Sequence, residues 1–214
     1  MYKLFPLLFF VFLFNKSAES QNLDSTKVNF LEQQFSDSIA QINEQNEYLK
    51  SSRDAYNEGL ILLKNKKHGE AILYFTKAIG IDSIFFQAYL SRAKCYEKSD
   101  EKLAIADYLK TFVLDSTNLL PLYAVASLYL KTDKAMALEM YTAILLMNID
   151  EYKALSQLGI IAFTDEKFED AEQLLTQSLA INTNAYTLND RGSCYRMLDK
   201  IDLAIMQILL NHLS

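Results

Sequence analysis

Small and apolar residues recur along this chain with a period of 33 or 34 positions. Five alanines follow one another at intervals of 33, 33, 34 and 33 residues: Ala71, Ala104, Ala137, Ala171 and Ala204. A second series of small residues runs 11 or 12 positions ahead of the first: Gly59, Ala93, Ala126, Gly159 and Gly192. Two series that keep a constant phase predict one supersecondary unit that is copied five times.

The first copy, from Asp54 to Ser83, predicts an antiparallel pair of helices. Spacings of three and four positions place small and apolar residues on one face of the first helix, at Ala55, Gly59 and Leu62. After a polar turn at 64–68, the second helix has a similar face, at Ala71, Phe75, Ala78 and Ile81. The small residues at Gly59 and Ala71 allow the two backbones to approach closely.

The segment before the repeats predicts one further helix, over residues 22–50. Apolar residues recur there at spacings of three, four or seven: Val28, Leu31, Phe35, Ile39, Ile42 and Leu49. Such a helix either covers the first apolar face of the array or pairs with a partner helix. We favour the covering role, because the terminal units of a repeat array need a cap.

The same slots recur in every later copy. The second and third copies hold Tyr89, Ala93, Tyr96, Ala104 and Tyr108, then Leu122, Ala126, Tyr129, Ala137 and Tyr141. The fourth and fifth hold Leu155, Gly159, Phe168, Ala171 and Leu175, then Leu188, Gly192, Tyr195, Ala204 and Ile208. These residues resemble the tetratricopeptide repeat family, and the resemblance covers residues 52–214.

The resemblance implies an all-α fold, a right-handed α-α superhelix (solenoid) of five helix pairs preceded by one amphipathic helix. The predicted units are 52–84, 86–117, 119–150, 152–184 and 185–214. The family often has Pro at the end of each unit, where this chain has Ser83, Ser116, Ile149 and Thr183. We expect the three hydroxyl side chains to cap the following helices.

The resemblance also implies a binding scaffold whose concave face is lined by the first helix of each pair. The exposed slots of those helices give the candidate partner-binding residues: Arg53, Tyr56, Asn57, Lys64, Gln87, Lys94, Lys98, Tyr123, Lys131, Lys153, Gln157, Asn189 and Arg196. Seven of these are basic, and the acidic residues at neighbouring slots are Glu97 and Asp190, so the face carries about five positive charges. An acidic, extended peptide suits this face. The alternative, that these cations only solvate an inner surface, stays open.

The N-terminus predicts a secretion signal over residues 1–20. Lys3 precedes the apolar run 4–14, and Ala18 and Ser20 provide a small-x-small cleavage site. An uncleaved anchor is the alternative, but an apolar run of 11 residues is short beside the roughly 20 that span a bilayer. We therefore expect a secreted or periplasmic protein.

The net charge limits the classes of partner that the chain attracts, and the spacing of the cysteines bears on whether they form a disulfide. The net charge is −6, and removal of Lys3, Lys16 and Glu19 with the signal changes it to −7. Such a chain has no general attraction to nucleic acid or anionic lipid. Cys95 and Cys194 lie three repeats apart, too far for a disulfide, so we expect two buried thiols.

Catalysis and self-association are the remaining function classes. His68 and His212 form no pair at metal or dyad spacing, so the sequence predicts no enzyme, no metal site and no cofactor.

The last helix leaves an apolar surface over 201–214, formed by Ile201, Ile205, Ile208, Leu209, Leu210 and Leu213. This surface favours an alternative function: a sensor or assembly region of a larger envelope protein that associates through its last helix pair.

Overall fold

The computed structural model describes residues 25–211, without the side chains of residues 25, 26, 28, 208, 210 and 211. The chain divides into two compact units, residues 1–53 and residues 54–214. The secondary structure of the described residues consists of ten α-helices and no strand. In chain order these are α1 (Ser25–Lys64), α2 (His68–Ile81), α3 (Phe86–Tyr96), α4 (Glu101–Leu114), α5 (Leu120–Thr132), α6 (Lys134–Met147), α7 (Tyr152–Thr164), α8 (Phe168–Ile181), α9 (Ala185–Met197) and α10 (Ile201–Asn211).

The second unit contains the five predicted helix pairs. The end of α1 pairs with α2, and the other pairs are α3 with α4, α5 with α6, α7 with α8 and α9 with α10. The second helix of each pair also packs on the first helix of the next. The prediction of an all-α solenoid is confirmed.

The two helices of a pair approach most closely at the small residues. All five alanines of the first series are buried, with at most 4% of their surface exposed. At Gly59 there is no room for a side chain, because a Cβ would lie 2.5 Å from Cε1 of Phe75. At Gly159 a Cβ would lie 2.8 Å from Cγ of Leu175. The sequence period therefore reports a steric requirement of the packing.

The number of residues between the small residue of the first helix and the alanine of the second differs between pairs, and the turns explain the difference. The spacing is 12 residues in the first, fourth and fifth pairs, and there the turn contains a residue with positive φ: Lys66 at 60°, Glu166 at 59° and Asp199 at 54°. The spacing is 11 residues in the second and third pairs, whose turns contain no positive φ. The extra residue is accommodated in the left-handed region.

The helix predicted before the repeats is not a separate element. α1 passes from residue 25 to residue 64 without a break, and residues 25–58 contain no Gly or Pro that would weaken it. The apolar side chains of the predicted face are only partly covered, since Leu31, Ile39 and Ile42 are 39%, 36% and 39% exposed. A covering role for this segment stays a prediction, and the predicted signal at 1–20 lies outside the described residues.

The predicted helix caps at Ser83, Ser116 and Thr183 are wrong. α3 and α5 begin without a side-chain cap, and α9 is capped by Asn184, whose Oδ1 accepts a hydrogen bond from the backbone N–H of Thr187 at 3.0 Å. The hydroxyl residues precede the first helical residue by too many positions to act as its cap.

Three of the four connections between pairs are held instead by the residue that directly follows the second helix. Asp82, Asp115 and Asn148 each accept a hydrogen bond from the backbone N–H two residues further on, at 3.1, 3.3 and 3.2 Å. Short carboxylate and amide side chains reach their own backbone in this way. Asn182 occupies the same position after α8, and among the described residues its side chain makes no such bond.

A charged side chain joins the first pair to the second. The guanidinium of Arg92, on α3, donates two hydrogen bonds to the carboxylate of Asp107 on α4, at 2.7 and 2.8 Å, and a third to Thr76 on α2 at 3.0 Å. The side chains of Arg92 and Asp107 are only 16% and 9% exposed. Burial alone would lower the pKa of Arg92, but the hydrogen bonds to Asp107 outweigh it and raise that pKa.

The equivalent joint is made differently in the other pairs. Arg191, in the same slot of α9, donates to Oε1 of Gln207 on α10 at 3.0 and 2.8 Å and to Thr176 on α8 at 3.2 Å. In the third pair the slots of Arg92 and Asp107 are taken by Val125 and Met140, which belong to one apolar cluster. Two polar side chains in some repeats and two apolar side chains in another therefore fill corresponding positions between the helices.

We expect Gly59→Ala to lower the free energy of unfolding by about 1–3 kcal/mol, because Phe75 is fully buried and cannot give way to a Cβ. Gly80→Ala in α2 is the matched control. A Cβ there meets no atom within 4 Å, and alanine favours the helix by up to about 1 kcal/mol. Urea denaturation measures both, and equal losses would contradict the close approach.

Substitution of Asp107 tests whether an apolar pair of side chains can replace the ion pair that it forms with Arg92. Asp107→Ala should cost about 3 kcal/mol, because it leaves the guanidinium of Arg92 largely buried without its partner. The double variant Arg92→Val, Asp107→Met copies the third pair and should unfold within about 1 kcal/mol of the parent. A double variant as unstable as the single one would show that the joints are not equivalent.

Candidate functional site

A groove of about 510 Å³ lies along the first helices of the third, fourth and fifth pairs. We call it the first-helix groove. α5 and α6 contribute Tyr123, Ser127 and Tyr141, and α7 contributes Tyr152, Lys153, Ser156, Gln157 and Ile160. The remainder comes from the connection between α8 and α9 and from α9 itself: Asn182, Asn184, Tyr186, Thr187 and Asp190.

The helix register explains which side chains reach the groove. Counted from the small residue of each first helix, the lining positions of α7 are −7, −6, −3, −2 and +1. In α5 they are −3 and +1, and in α9 they are −6, −5 and −2. These positions repeat at the three- and four-residue spacing of one helix face.

Some lining groups are already engaged in the fold. Tyr123 donates a hydrogen bond to Oε2 of Glu151 at 2.9 Å, and its ring lies 6.2 Å from that of Tyr141. Burial and the bond to Glu151 raise the pKa of Tyr123 above its ordinary value. The hydroxyls of Ser156 and Thr187 lie 3.3 Å apart and join α7 to α9 at the groove.

Other lining groups have no protein partner. Among the described residues, the side chains of Gln157, Asn182, Tyr186 and Asp190 make no hydrogen bond or ion pair. The ammonium of Lys153 lies 5.8 Å from the ring centroid of Tyr152, next to it on α7, and forms no ion pair. Among the described residues, the groove thus presents one cation, one carboxylate, the two unpaired amides and one exposed phenol ring, that of Tyr186, to solvent.

Burial raises the pKa of two side chains on α9. It raises the pKa of Asp190, whose carboxylate is partly removed from water. It also raises the pKa of Cys194, one turn further on, to about 11, with smaller contributions from Asp190 and Glu172. Both cysteines are buried and unpaired, as predicted, and Cys194 belongs to an apolar cluster with Ala171 and Leu175 of α8.

Three of the thirteen predicted partner-binding residues line the groove: Tyr123, Lys153 and Gln157. The other ten are Arg53, Tyr56, Asn57, Lys64, Gln87, Lys94, Lys98, Lys131, Asn189 and Arg196. All of these except Tyr56 are exposed. Tyr56 is half-buried in the first pair, where its ring lies 5.7 Å from that of Phe75 and 4.9 Å from that of Phe85.

The predicted cations fall into different positions of the register. Lys94 is at +1, the position through which Ser127 and Ile160 line the groove in later repeats. Lys64, Lys98 and Lys131 are at +5, at or just beyond the C-terminal ends of their helices, where the helix dipole favours a cation. Arg196 donates a hydrogen bond to Ser193 at 2.8 Å.

Of the lining residues absent from the predicted set, some lie at other register positions of the first helices and some lie outside these helices. Asn182 and Asn184 belong to a connection, and Tyr141 belongs to a second helix. Tyr152 and Tyr186 lie in the first turns of α7 and α9, and Tyr186 is 85% exposed. An exposed tyrosine directly after an Asn-rich connection was the available signal for this part of the site.

Residues 25–211 contain neither a group of metal-ligating side chains nor a helix that could span a membrane. No three His, Cys, Asp or Glu side chains of that range are grouped so that they could hold a metal ion. No helix of that range has both the length and the hydrophobicity that a membrane span requires.

Comparison with known proteins finds relatives by structure alone. No protein-family model and no curated protein sequence matches the chain. A crystal structure of MamA is similar with a TM-score of 0.63 and 18% identity, over 76% of this chain and 90% of that one. YrrB, described as a TPR protein with an unusual peptide-binding site, gives 0.57 and 17% over 80% and 89%. PilF of Pseudomonas aeruginosa gives 0.61 and 19% over 77% of each chain.

Proposed function

We propose that this chain, which has the fold of the tetratricopeptide-repeat proteins, is a non-enzymatic scaffold that binds an extended peptide segment along its first helices. The observation that carries the proposal is the first-helix groove, an open surface on which the side chains of Gln157, Asn182, Tyr186 and Asp190 have no hydrogen-bond or ion-pair partner among the described residues. Such groups suit the main chain and side chains of an extended peptide. The peptide-binding site named for the similar protein YrrB is consistent with this use of the fold.

The charges of the earlier repeats favour an acidic segment. Lys94 continues the register of the groove into the second pair, and Lys64, Lys98 and Lys131 form a column in three successive repeats. Acidic residues of the same unit lie on second helices and turns, among them Glu166 and Glu169. This separation attracts an acidic ligand to the first helices rather than to the second.

The proposal includes an exported location. Its support is the apolar run 4–14 and the cleavage site that follows it. The protein isolated from the cell envelope should begin at Gln21, which N-terminal sequencing checks.

A second candidate function is assembly through α10. Ile201, Ile205 and Leu209 lie four positions apart on this helix and are 53%, 52% and 59% exposed. A stripe of this kind fits the same stripe of a second copy, because apolar surface gains from leaving water.

Charge reversal tests the peptide scaffold. Random dodecapeptides displayed on phage should be enriched in Asp and Glu by the parent protein. The triple variant Lys94→Glu, Lys131→Glu, Arg196→Glu should bind the selected acidic peptides about tenfold more weakly or worse, a loss of about 1.4 kcal/mol. The control Glu166→Lys, Glu169→Lys should bind them as the parent does. Equal losses in both variants would overturn the proposed face.

Sedimentation tests assembly through α10. The parent should form dimers as its concentration rises to high micromolar, and Ile205→Lys should remain a monomer, because the charge would be buried in the interface. A parent that stays monomeric throughout this range would remove the second candidate.

A further inference from the structure

We infer that Asp190 in the first-helix groove binds a basic side chain, Lys or Arg, of the extended segment. The inference rests on the proposed function and adds to it the charge of one ligand residue at one site. It gives the ligand a mixed character: acidic residues along the earlier repeats and a basic residue against α9.

Asp190 is the acidic residue of the groove, and no cation of the described residues forms an ion pair with it. It lines the groove together with Lys153, yet no ion pair joins them, and the ammonium of Lys153 stays beside the ring of Tyr152. The corresponding slots of the other first helices hold Asn57, Ser91, Ala124 and Gln157, none of which is acidic. A carboxylate at this position is therefore particular to the fifth repeat.

Partial burial makes this carboxylate receptive to a cation. Burial raises the pKa of Asp190, because the charged form has lost part of its hydration. A ligand cation would replace that hydration with a charge-assisted hydrogen bond, which is stronger than a neutral one.

Two phenol rings suit the rest of a basic side chain. Tyr152 and Tyr186 line the groove from α7 and α9, and Tyr186 is 85% exposed. The aliphatic stem of Lys or Arg packs on such rings while its charged end reaches a carboxylate. A ring face also attracts the cation directly.

The amides beside Asp190 are free to hold a peptide main chain. In the three earlier connections the residue equivalent to Asn182 accepts a hydrogen bond from its own backbone, whereas Asn182 does not and faces the groove. Asn184 has taken over the local task by capping α9. The side chains of Asn182 and Gln157 each keep one acceptor and two donors for a ligand.

The spacing of the charges defines the ligand further. Lys94 lies on α3 and Asp190 on α9, three repeats further along, so a ligand that contacts both spans at least roughly 30 Å, because even directly packed helices lie about 10 Å apart. An extended chain covers this distance in about nine residues, at about 3.3 Å for each residue. We expect the acidic and basic positions of the ligand to be separated accordingly.

Selection from a random dodecapeptide phage library tests the inference. The parent protein and the control Asp202→Asn, an exposed aspartate on α10 outside the groove, should both enrich Lys or Arg at one position, in addition to acidic residues. Asp190→Asn should lose the basic enrichment and keep the acidic one. Measured by fluorescence polarisation, a selected synthetic peptide should bind Asp190→Asn about tenfold more weakly, and its Lys→Gln form should bind parent and variant alike.

A second variant, Tyr186→Ala, distinguishes a loss of binding from a change in the fold. Tyr186→Ala removes an exposed ring, so its circular dichroism and melting temperature should match the parent. It should still weaken the basic peptide about fivefold. Peptides selected without basic enrichment, or basic enrichment retained by Asp190→Asn, would overturn the inference and leave the scaffold in place. Selection of no peptide by the parent would overturn both.

Discussion

The structure depends on the close approach of paired helices at residues that have little or no side chain. Phe75 lies against Gly59 and Leu175 lies against Gly159, at distances that leave no space for a methyl group. This contact fixes the rotation of each helix about its axis, because only one face carries a small residue at the required height. Once the rotation is fixed, every other slot of the helix is assigned to the core, to the next pair or to solvent.

The contacts between the two helices of a pair at the slots of Arg92 and Asp107 follow a less strict rule. An ion pair, Arg92 with Asp107, and an apolar pair, Val125 with Met140, occupy the same slots in neighbouring repeats. Both fill the volume, but the ion pair also requires that two charges be removed from water, which its hydrogen bonds must offset. In the last pair Gln207 satisfies Arg191 through Oε1, while its own Nε2 is buried and has no partner among the described residues. The last joint is thus an imperfect version of the first polar one.

The helix pairs could be predicted because their period records packing, and packing acts at every repeat. The connections could not, because hydroxyl, amide and carboxylate side chains all form local bonds to the backbone, and their offset from the helix decides which of them does. Asn184 caps α9 and Thr183, one residue earlier, does not. The break expected near residue 51 is absent, since apolar periodicity does not reveal that two helical segments run on as one.

The candidate site was predictable in part for the same reason. Register placed Tyr123, Lys153 and Gln157 on the face where the groove lies, since they belong to the first helices whose phase was known. It did not identify Asn182 or Asn184, which lie outside any helix. It also gave the predicted face a net charge of about +5, with Asp190 as one of its two acidic residues, whereas the groove itself carries Lys153 and Asp190 and has no net charge.

The walls of the first-helix groove come from three successive repeats, so the groove exists only while α5, α7 and α9 are stacked in order. A ligand in it therefore binds the stacked state and not a frayed one, and by linkage its binding free energy is added to the stability of these repeats. At a hundred times its dissociation constant this amounts to about 2.7 kcal/mol, comparable with the energy of opening a local region. Three repeats that otherwise open almost independently would then unfold together when a ligand occupies the groove. The hydrogens of α9 backbone amides remote from the ligand would exchange with solvent more slowly.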